Sequence, residues 1–266
     1  MTTTEAVTEQ MREVWGSVDF NPIATRNTVI SELLVRAADV HSGQRVLDVA
    51  AGTGNTALAA ARRDASVTAA DFASALLETA SRRAAVEGLD LEIQVADAQD
   101  LPFEDGSFDV VLSSFGAMYA PDQQRAADEL VRVCRSGGRI AMANWTPDGL
   151  LGRLRAASAL HLPPLPGPSP YLWGTEQHCR ELFGTRITTL TSTVWTHEFC
   201  AVSAAAQFDF IRRHFAPLRA AFQTLNPAAQ QRLATAAAAE YERANRATDG
   251  TLIACADYLE LVATVA

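Results

Sequence analysis

The chain has 266 residues, of which 48% are hydrophobic and 20% charged; these are the proportions of a folded globular protein and exclude disorder as the main state. A formal charge of −9 and a pI near 5.0, with no run of Lys or Arg, exclude a nucleic-acid backbone as the expected partner. The opening MTTTEAVTEQ lacks the basic and apolar stretches of a signal peptide, and no apolar run reaches the roughly 18 residues that span a bilayer, so a cytoplasmic protein with no membrane partner is expected. Cys134, Cys179, Cys200 and Cys255 are scattered without C-x-x-C or His spacing, so no metal site is expected, and the four are read as reduced core thiols.

Residues 1–44 read as an N-terminal helical extension, with helical patterns at Thr8–Trp15 and Val29–Asp39. From Arg45 to Trp145, short apolar runs alternate with longer helical stretches, the pattern of a parallel sheet covered on both faces. The expected strands are Arg45–Ala50, Ser66–Asp71, Leu91–Asp97, Phe108–Phe115 and Gly138–Trp145. Ser74 is read as the cap of the helix after the second strand and Gly88 as its end, with Gly137 ending a helix that starts near Asp122. The Pro-rich His161–Pro170 predicts an extended loop inside an insertion. A strand is expected at Ile187–Phe199, then a helix from about Ser203 carrying Phe208, Ile211, Phe215 and Leu218 on one face. A longer helix opens at Asn226-Pro227, a cap followed by proline at the first helical position, and runs to about Ala247 before a last strand at Thr251–Val265. The fold class is therefore α/β: a Rossmann-like, doubly wound, mostly parallel seven-stranded sheet with helices on both faces. One domain over 1–266 is expected, with a cofactor-binding core at 45–145 and insertions at 146–186 and 203–250 that cover an acceptor site.

The segment Val46-Leu47-Asp48-Val49-Ala50-Ala51-Gly52-Thr53-Gly54 carries the most chemical information, because a buried strand turns sharply into a helix there. Glycines let the backbone approach a ligand, and the helix start presents unpaired N–H groups. The same glycines fit a dinucleotide fingerprint, so they do not decide the ligand. Asp48 does, since a carboxylate aimed at the loop repels a diphosphate and favours a ligand with an ammonium group. Asp71 ends the second strand where a Rossmann-type sheet places an acid on ribose hydroxyls, and Asp97-Ala98 adds a third acid at the same edge.

With VLDVAAGTGN at 46–55, LPFEDGSFDVVLSSFGAMYAPD at 101–122, GGRIAMANWTPDG at 137–149, WGSVDFNPIA at 15–24 and TLIACADYLEL at 251–261, the chain resembles the class I S-adenosylmethionine-dependent methyltransferases, in the type 11 or UbiE-like branch. The resemblance implies S-adenosylmethionine as cofactor, with Asp48, Gly52 and Gly54 around its methionine end and Ala50 and Asn55 among the residues that bind it. It implies Asp71 on the ribose, Phe72 near the adenine, Asp97 and Ala98 at the adenine edge, and Ser114 and Phe115 beside the methyl donor. Trp15 and Phe20 would close the cofactor site. The branch usually has glycine at Val18 and at Ala216, so closure of the N-terminal segment and of the helix over the acceptor is expected to differ here.

The implied activity is direct methyl transfer to a small organic acceptor of the secondary-metabolite kind, by a monomer or homodimer. Tyr119, His178 and His214 are the candidates for a general base, with Tyr119 and His214 preferred. Phe115, Tyr119 and Trp145 are the candidate cavity walls beside Trp15 and Phe20, where a ring face near a sulfonium gains roughly 0.5–2 kcal/mol. The competing readings are a nicotinamide-dependent oxidoreductase, disfavoured by Asp48, and a cofactor-binding protein without catalytic activity.

Overall fold

Val46–Val49 and Val67–Asp71 are buried on every residue, as strands covered by helices on both faces must be. The computed structural model describes residues 3–162 and 167–266. Helices α1 (Thr3–Gly16), α2 (Asn21–Ala24) and α3 (Thr28–Ala37) precede the sheet. The core then runs β1 (Arg45–Val49), α4 (Asn55–Ala61), β2 (Ser66–Asp71), α5 (Ser74–Glu87), β3 (Glu92–Val95), β4 (Phe108–Ser114), α6 (Gln123–Val133) and β5 (Cys134–Trp145). The remainder is α7 (Leu150–Ala159), α8 (Glu176–Phe183), β6 (Ile187–Ala201), α9 (Ala204–His214), α10 (Ala216–Gln223), α11 (Pro227–Arg243) and β7 (Leu252–Val265).

These strands form a seven-stranded sheet in the order β3-β2-β1-β4-β5-β7-β6, parallel from β3 to β5 and antiparallel where β7 pairs with β5 and β6. The chain leaves β1 toward β2 on one side and later returns to β4 on the other. That reversal opens a crevice at the carboxyl ends of β1 and β4, where open α/β sheets bind ligands.

Several local expectations are corrected. Ser74 opens α5 but does not cap it; the Asp71 carboxylate instead accepts the Ala73 N–H at 2.8 Å. Gly88 does end α5, in the left-handed region at φ 67°. Gly137 ends no helix, because Cys134 already pairs with Phe108 in the sheet and α6 stops at Val133. Asp122, Ser203 and Asn226 cap α6, α9 and α11 through the N–H groups of Arg125, Ala206 and Ala229.

The helix expected to carry Phe208 through Leu218 is two helices. Pro217 forbids a continuous turn, so Phe215 is extended at φ −93° and ψ 102° and α10 restarts at Ala216. α11 ends at Arg243 and not near Ala247, since the Asn245 side chain accepts the Ala247 and Ile253 N–H groups and turns the chain into β7. The 146–186 segment holds α7, α8 and a 3₁₀ turn at Pro170–Gly174; positions 163–166 of the expected extended loop lie outside the described residues.

All four cysteines are free, but only Cys134 and Cys179 are buried. Cys255 is half-buried and Cys200 exposed, because β6 is the outer strand of the sheet and its alternate residues face solvent. No described helix is long and apolar enough to cross a membrane. Trp15, Ala73, Leu76 and Ala216 form a small buried cluster separate from the main core, and this cluster joins α1 to α5 and α10. Val18, where the branch has glycine, packs at its margin, and Ala216, the second departure, lies inside it.

Candidate functional site

Two non-glycine residues adopt left-handed backbone at the ends of neighbouring strands: Ala50 after β1 (φ 54°) and Phe115 after β4 (φ 55°). Such conformations cost about 1–3 kcal/mol each and cluster at functional sites. Between them the loops nearly touch, since a Cβ on Gly116 would lie 2.4 Å from the Ala50 carbonyl oxygen. Beside this crossing lies a cavity of about 300 Å³ that extends from the carboxyl ends of β1 to β4 out to α7 and α9–α11.

At the sheet end of the cavity stand three carboxylates, Asp48, Asp71 and Asp97. Asp48 is 1% exposed and accepts the Ala57 N–H at 2.8 Å from within α4; burial, reinforced by the nearby Asp71, pushes its carboxyl up to about 8 against that hydrogen bond. Asp71 accepts the Gly52 N–H at 2.9 Å, and burial lifts it to about 6. Two acids so placed are complementary to a positively charged group. Asp97 is held differently, by the Gln99 backbone N–H at 2.9 Å and the Gln99 side-chain amide at 3.1 Å.

Gly52 (φ 55°) has open space where a Cβ would stand, so ligand atoms can approach its backbone. Gly54 does not line the cavity. A Cβ there would lie 2.7 Å from the Ala80 Cβ, so this glycine permits α4 to pack on α5. Asn55 lines the cavity, donating to the Ala24 carbonyl at 2.6 Å while its own buried Oδ1 has no partner among the described residues; Asn27 Oδ1 is in the same position. Buried acceptors of this kind fit a ligand that carries N–H donors.

Ala50, Phe72, Ala98, Ser114 and Phe115 also line the cavity. Phe115 stacks on Trp145 with centroids 3.9 Å apart and planes at 7°, and Trp145 leans on Phe199 at 5.9 Å. Trp15 closes the opposite wall, with ring centroids 5.6 Å from Phe20, 5.5 Å from Tyr119 and 5.4 Å from Phe215.

The two histidine candidates are not in the site. Phe208 and Ile211 are the cavity-facing residues of α9, and His214 shares a different face with Phe210, 4.9 Å away. His178 is on α8, where its Nε2 meets the Gln123 Oε1 at 2.7 Å and burial lowers its basicity. Tyr119 does line the cavity, and burial holds its phenol well above its ordinary value. Of the three base candidates it is the one that lines the cavity.

Sequence reasoning missed Tyr171, Tyr241 and Arg155, all of which line the cavity. Burial pushes Tyr171 up to about 12 and raises Tyr241 in the same way. For Tyr241 the available signal was its spacing of four from Ala237 and Leu233 on α11, all three buried. Tyr171 follows the Pro-rich stretch and carries no periodic signal.

A family described as a methyltransferase domain matches residues 47–142, the stretch from β1 to β5 that builds the carboxylate end. Uncharacterized protein Rv1405c of Mycobacterium tuberculosis is 40% identical over 210 residues, 77% of each chain. The chain belongs to the class I S-adenosylmethionine-dependent methyltransferases. S-adenosylmethionine is the cofactor of this methyltransferase class. Uncharacterized protein Rv1403c of the same organism is 45% identical over 175 residues, 65% of this methyltransferase, and the match spans 64% of that relative's length. The demethylmenaquinone methyltransferase of Clavibacter sepedonicus is 44% identical over 111 residues, 42% of this chain and 45% of that one. The fold is shared with the YcgJ protein of Bacillus subtilis, at a TM-score of 0.64 and 19% identity over 88% of this methyltransferase and 97% of that chain.

Proposed function

We propose that the protein transfers a methyl group from S-adenosylmethionine to a small organic acceptor of secondary-metabolite size, bound in the aromatic half of the cavity. The observation that carries this reading is the continuity of one cavity from the carboxylate end, Asp48 and Asp71, past Phe115 to the aromatic end. A sulfonium-activated methyl is the chemistry the cofactor supplies when bound. Asp48, with Ala50, Gly52 and Asn55, would hold the cationic methionine end, and Asp71 the ribose. Phe72, Asp97 and Ala98 would meet the adenine, and Ser114 and Phe115 would border the reacting centre.

The remaining work of the chain is alignment and exclusion of water, which contributes about 7–11 kcal/mol to such a step. In this reading the segment 1–44, α7 and α9–α11 cover the acceptor, and the stacked Phe115 and Trp145 with Tyr119 and Trp15 form the walls. Asp48 argues against the oxidoreductase alternative, since a cationic ligand favours its ionised form whereas a diphosphate gains nothing from a neutral carboxyl and is repelled by the ionised one. Calorimetric titration of the purified protein with S-adenosylhomocysteine and with NADH tests the reading: the first is expected to bind and the second not, and the reverse order overturns it. A methylated product from a labelled-cofactor metabolite screen separates the enzyme from a non-catalytic binding protein.

A further inference from the structure

The acids that line the cavity, among the described residues, are Asp48, Asp71 and Asp97, all at the sheet end; the one cation among them is Arg155, on α7 in the opposite half. Arg155 has no ion-pair partner among the described residues. Its neighbour Arg153 pairs with Glu240 of α11 at 3.3 Å. The same cavity is lined by the hydrocarbon side chains of Leu151, Leu154, Phe208 and Leu218 and by the phenols Tyr171 and Tyr241. Tyr171 lines the same cavity, and burial keeps its phenol protonated and able to donate. Arg155 is half-buried at the cavity, and the planar fork of its guanidinium matches a carboxylate.

We propose that Arg155 anchors a carboxylate of the acceptor, so that the substrates are aromatic or hydrocarbon acids and amines are excluded. This assignment rests on the methyl-transfer reading of the cavity. It divides the site by charge: the carboxylate end takes the cationic cofactor and the Arg155 end takes an anionic acceptor, so neither ligand is attracted to the other's half. The Tyr171 hydroxyl supplies a second donor to the same carboxylate, and the surrounding apolar side chains take the ring.

Three probes of similar size test it by calorimetry at saturating S-adenosylhomocysteine: 3-hydroxy-2-naphthoate, its methyl ester and 1-naphthylmethylammonium. The acid is expected to bind at least tenfold tighter than the ester, and the ammonium weaker than either. Arg155→Met is expected to bring acid and ester within twofold of each other while S-adenosylhomocysteine affinity stays within twofold of the parent, which also reports that the variant is folded. Tyr171→Phe is expected to weaken the acid several-fold and the ester little. An acid that binds no tighter than its ester, or a preference that survives Arg155→Met, overturns the proposal. The acid titrated alone keeps the two readings apart: if it prefers Arg155 while S-adenosylhomocysteine fails to bind, the methyl-transfer reading falls and the anion site stands.

Discussion

The Asp71 carboxylate ties Gly52 to the start of α5: one oxygen accepts the Gly52 N–H at 2.9 Å and the other the Ala73 N–H at 2.8 Å. The residue that ends β2 therefore sets the shape of the loop after β1 before any ligand arrives. Asp71→Ala leaves two enclosed N–H groups without an acceptor, at about 1–3 kcal/mol each, so a loss of roughly 2–6 kcal/mol in urea unfolding is expected. Weakening of S-adenosylhomocysteine by about ten- to a hundredfold is expected as well. Asp71→Asn, which keeps one acceptor oxygen, is expected to lose about half of the stability. Equal affinity in a folded Asp71→Ala protein would show that the ribose is held elsewhere.

The two loop glycines should respond differently. Gly54→Ala forces a Cβ to within 2.7 Å of the Ala80 Cβ at φ 84°, so about 1–3 kcal/mol of stability is expected to be lost, with partial recovery in a Gly54→Ala, Ala80→Gly double variant. Gly52→Ala meets open space and carries only the left-handed strain of roughly 1–2 kcal/mol, yet its methyl enters the cavity, so cofactor affinity is expected to fall more than stability. Urea unfolding and calorimetry on both variants decide it; a Gly54→Ala protein as stable as the parent contradicts the packing role.

The raised carboxyls make stability and binding depend on pH in opposite senses. Burial lifts Asp48 from 3.8 to about 8 and Asp71 from 3.8 to about 6, so each binds more protons folded than unfolded. Their contribution to stability of the ligand-free protein is full below about pH 4 and is lost as pH rises through 6 and then 8. A cationic ligand needs the carboxylates ionised, so S-adenosylmethionine affinity is expected to rise across the same window. Asp48→Asn should flatten both curves, hold or raise ligand-free stability at pH 8, and weaken cofactor binding at least tenfold. Melting temperature and affinity between pH 5 and 9 check this, and a ligand-free melting curve that rises with pH in this window in the parent alone would count against it.

The small cluster around Trp15 is separate from the main core, so removal of residues 1–20 is expected to cost little stability. It removes the paired rings of Trp15 and Phe20, the contacts of Trp15 to Tyr119 and Phe215, and with them the cover over the cavity. Turnover is expected to drop far more than melting temperature, with cofactor affinity falling by less than turnover. A truncated protein that melts much earlier yet turns over normally would make the segment scaffolding.

Local chemistry made the cofactor half of the site legible. The apolar runs of β1 and β2, the acids that end them and the glycines between lie within the 27 residues Leu47 to Ala73, where turn, strand and cap rules act on neighbours in the chain. Pro217 was equally local, and its break in the α9–α10 helix follows from the missing N–H and the ring clash alone. Other features depend on which elements meet in space. Asp48 is as acidic in the sequence as any surface aspartate, and only complete burial between β2 and β4 makes its carboxyl hard to ionise. Gly54 reads like a ligand glycine until Ala80 of α5 is seen against it. Tyr119, Arg155, Tyr171 and Tyr241 come from four separate segments, and what brings them to one wall is the return of the chain across the sheet through β5, β7 and the helices between. No periodicity reports that meeting, because the apolar stripe that buries a helix constrains its own face and not the residue opposite.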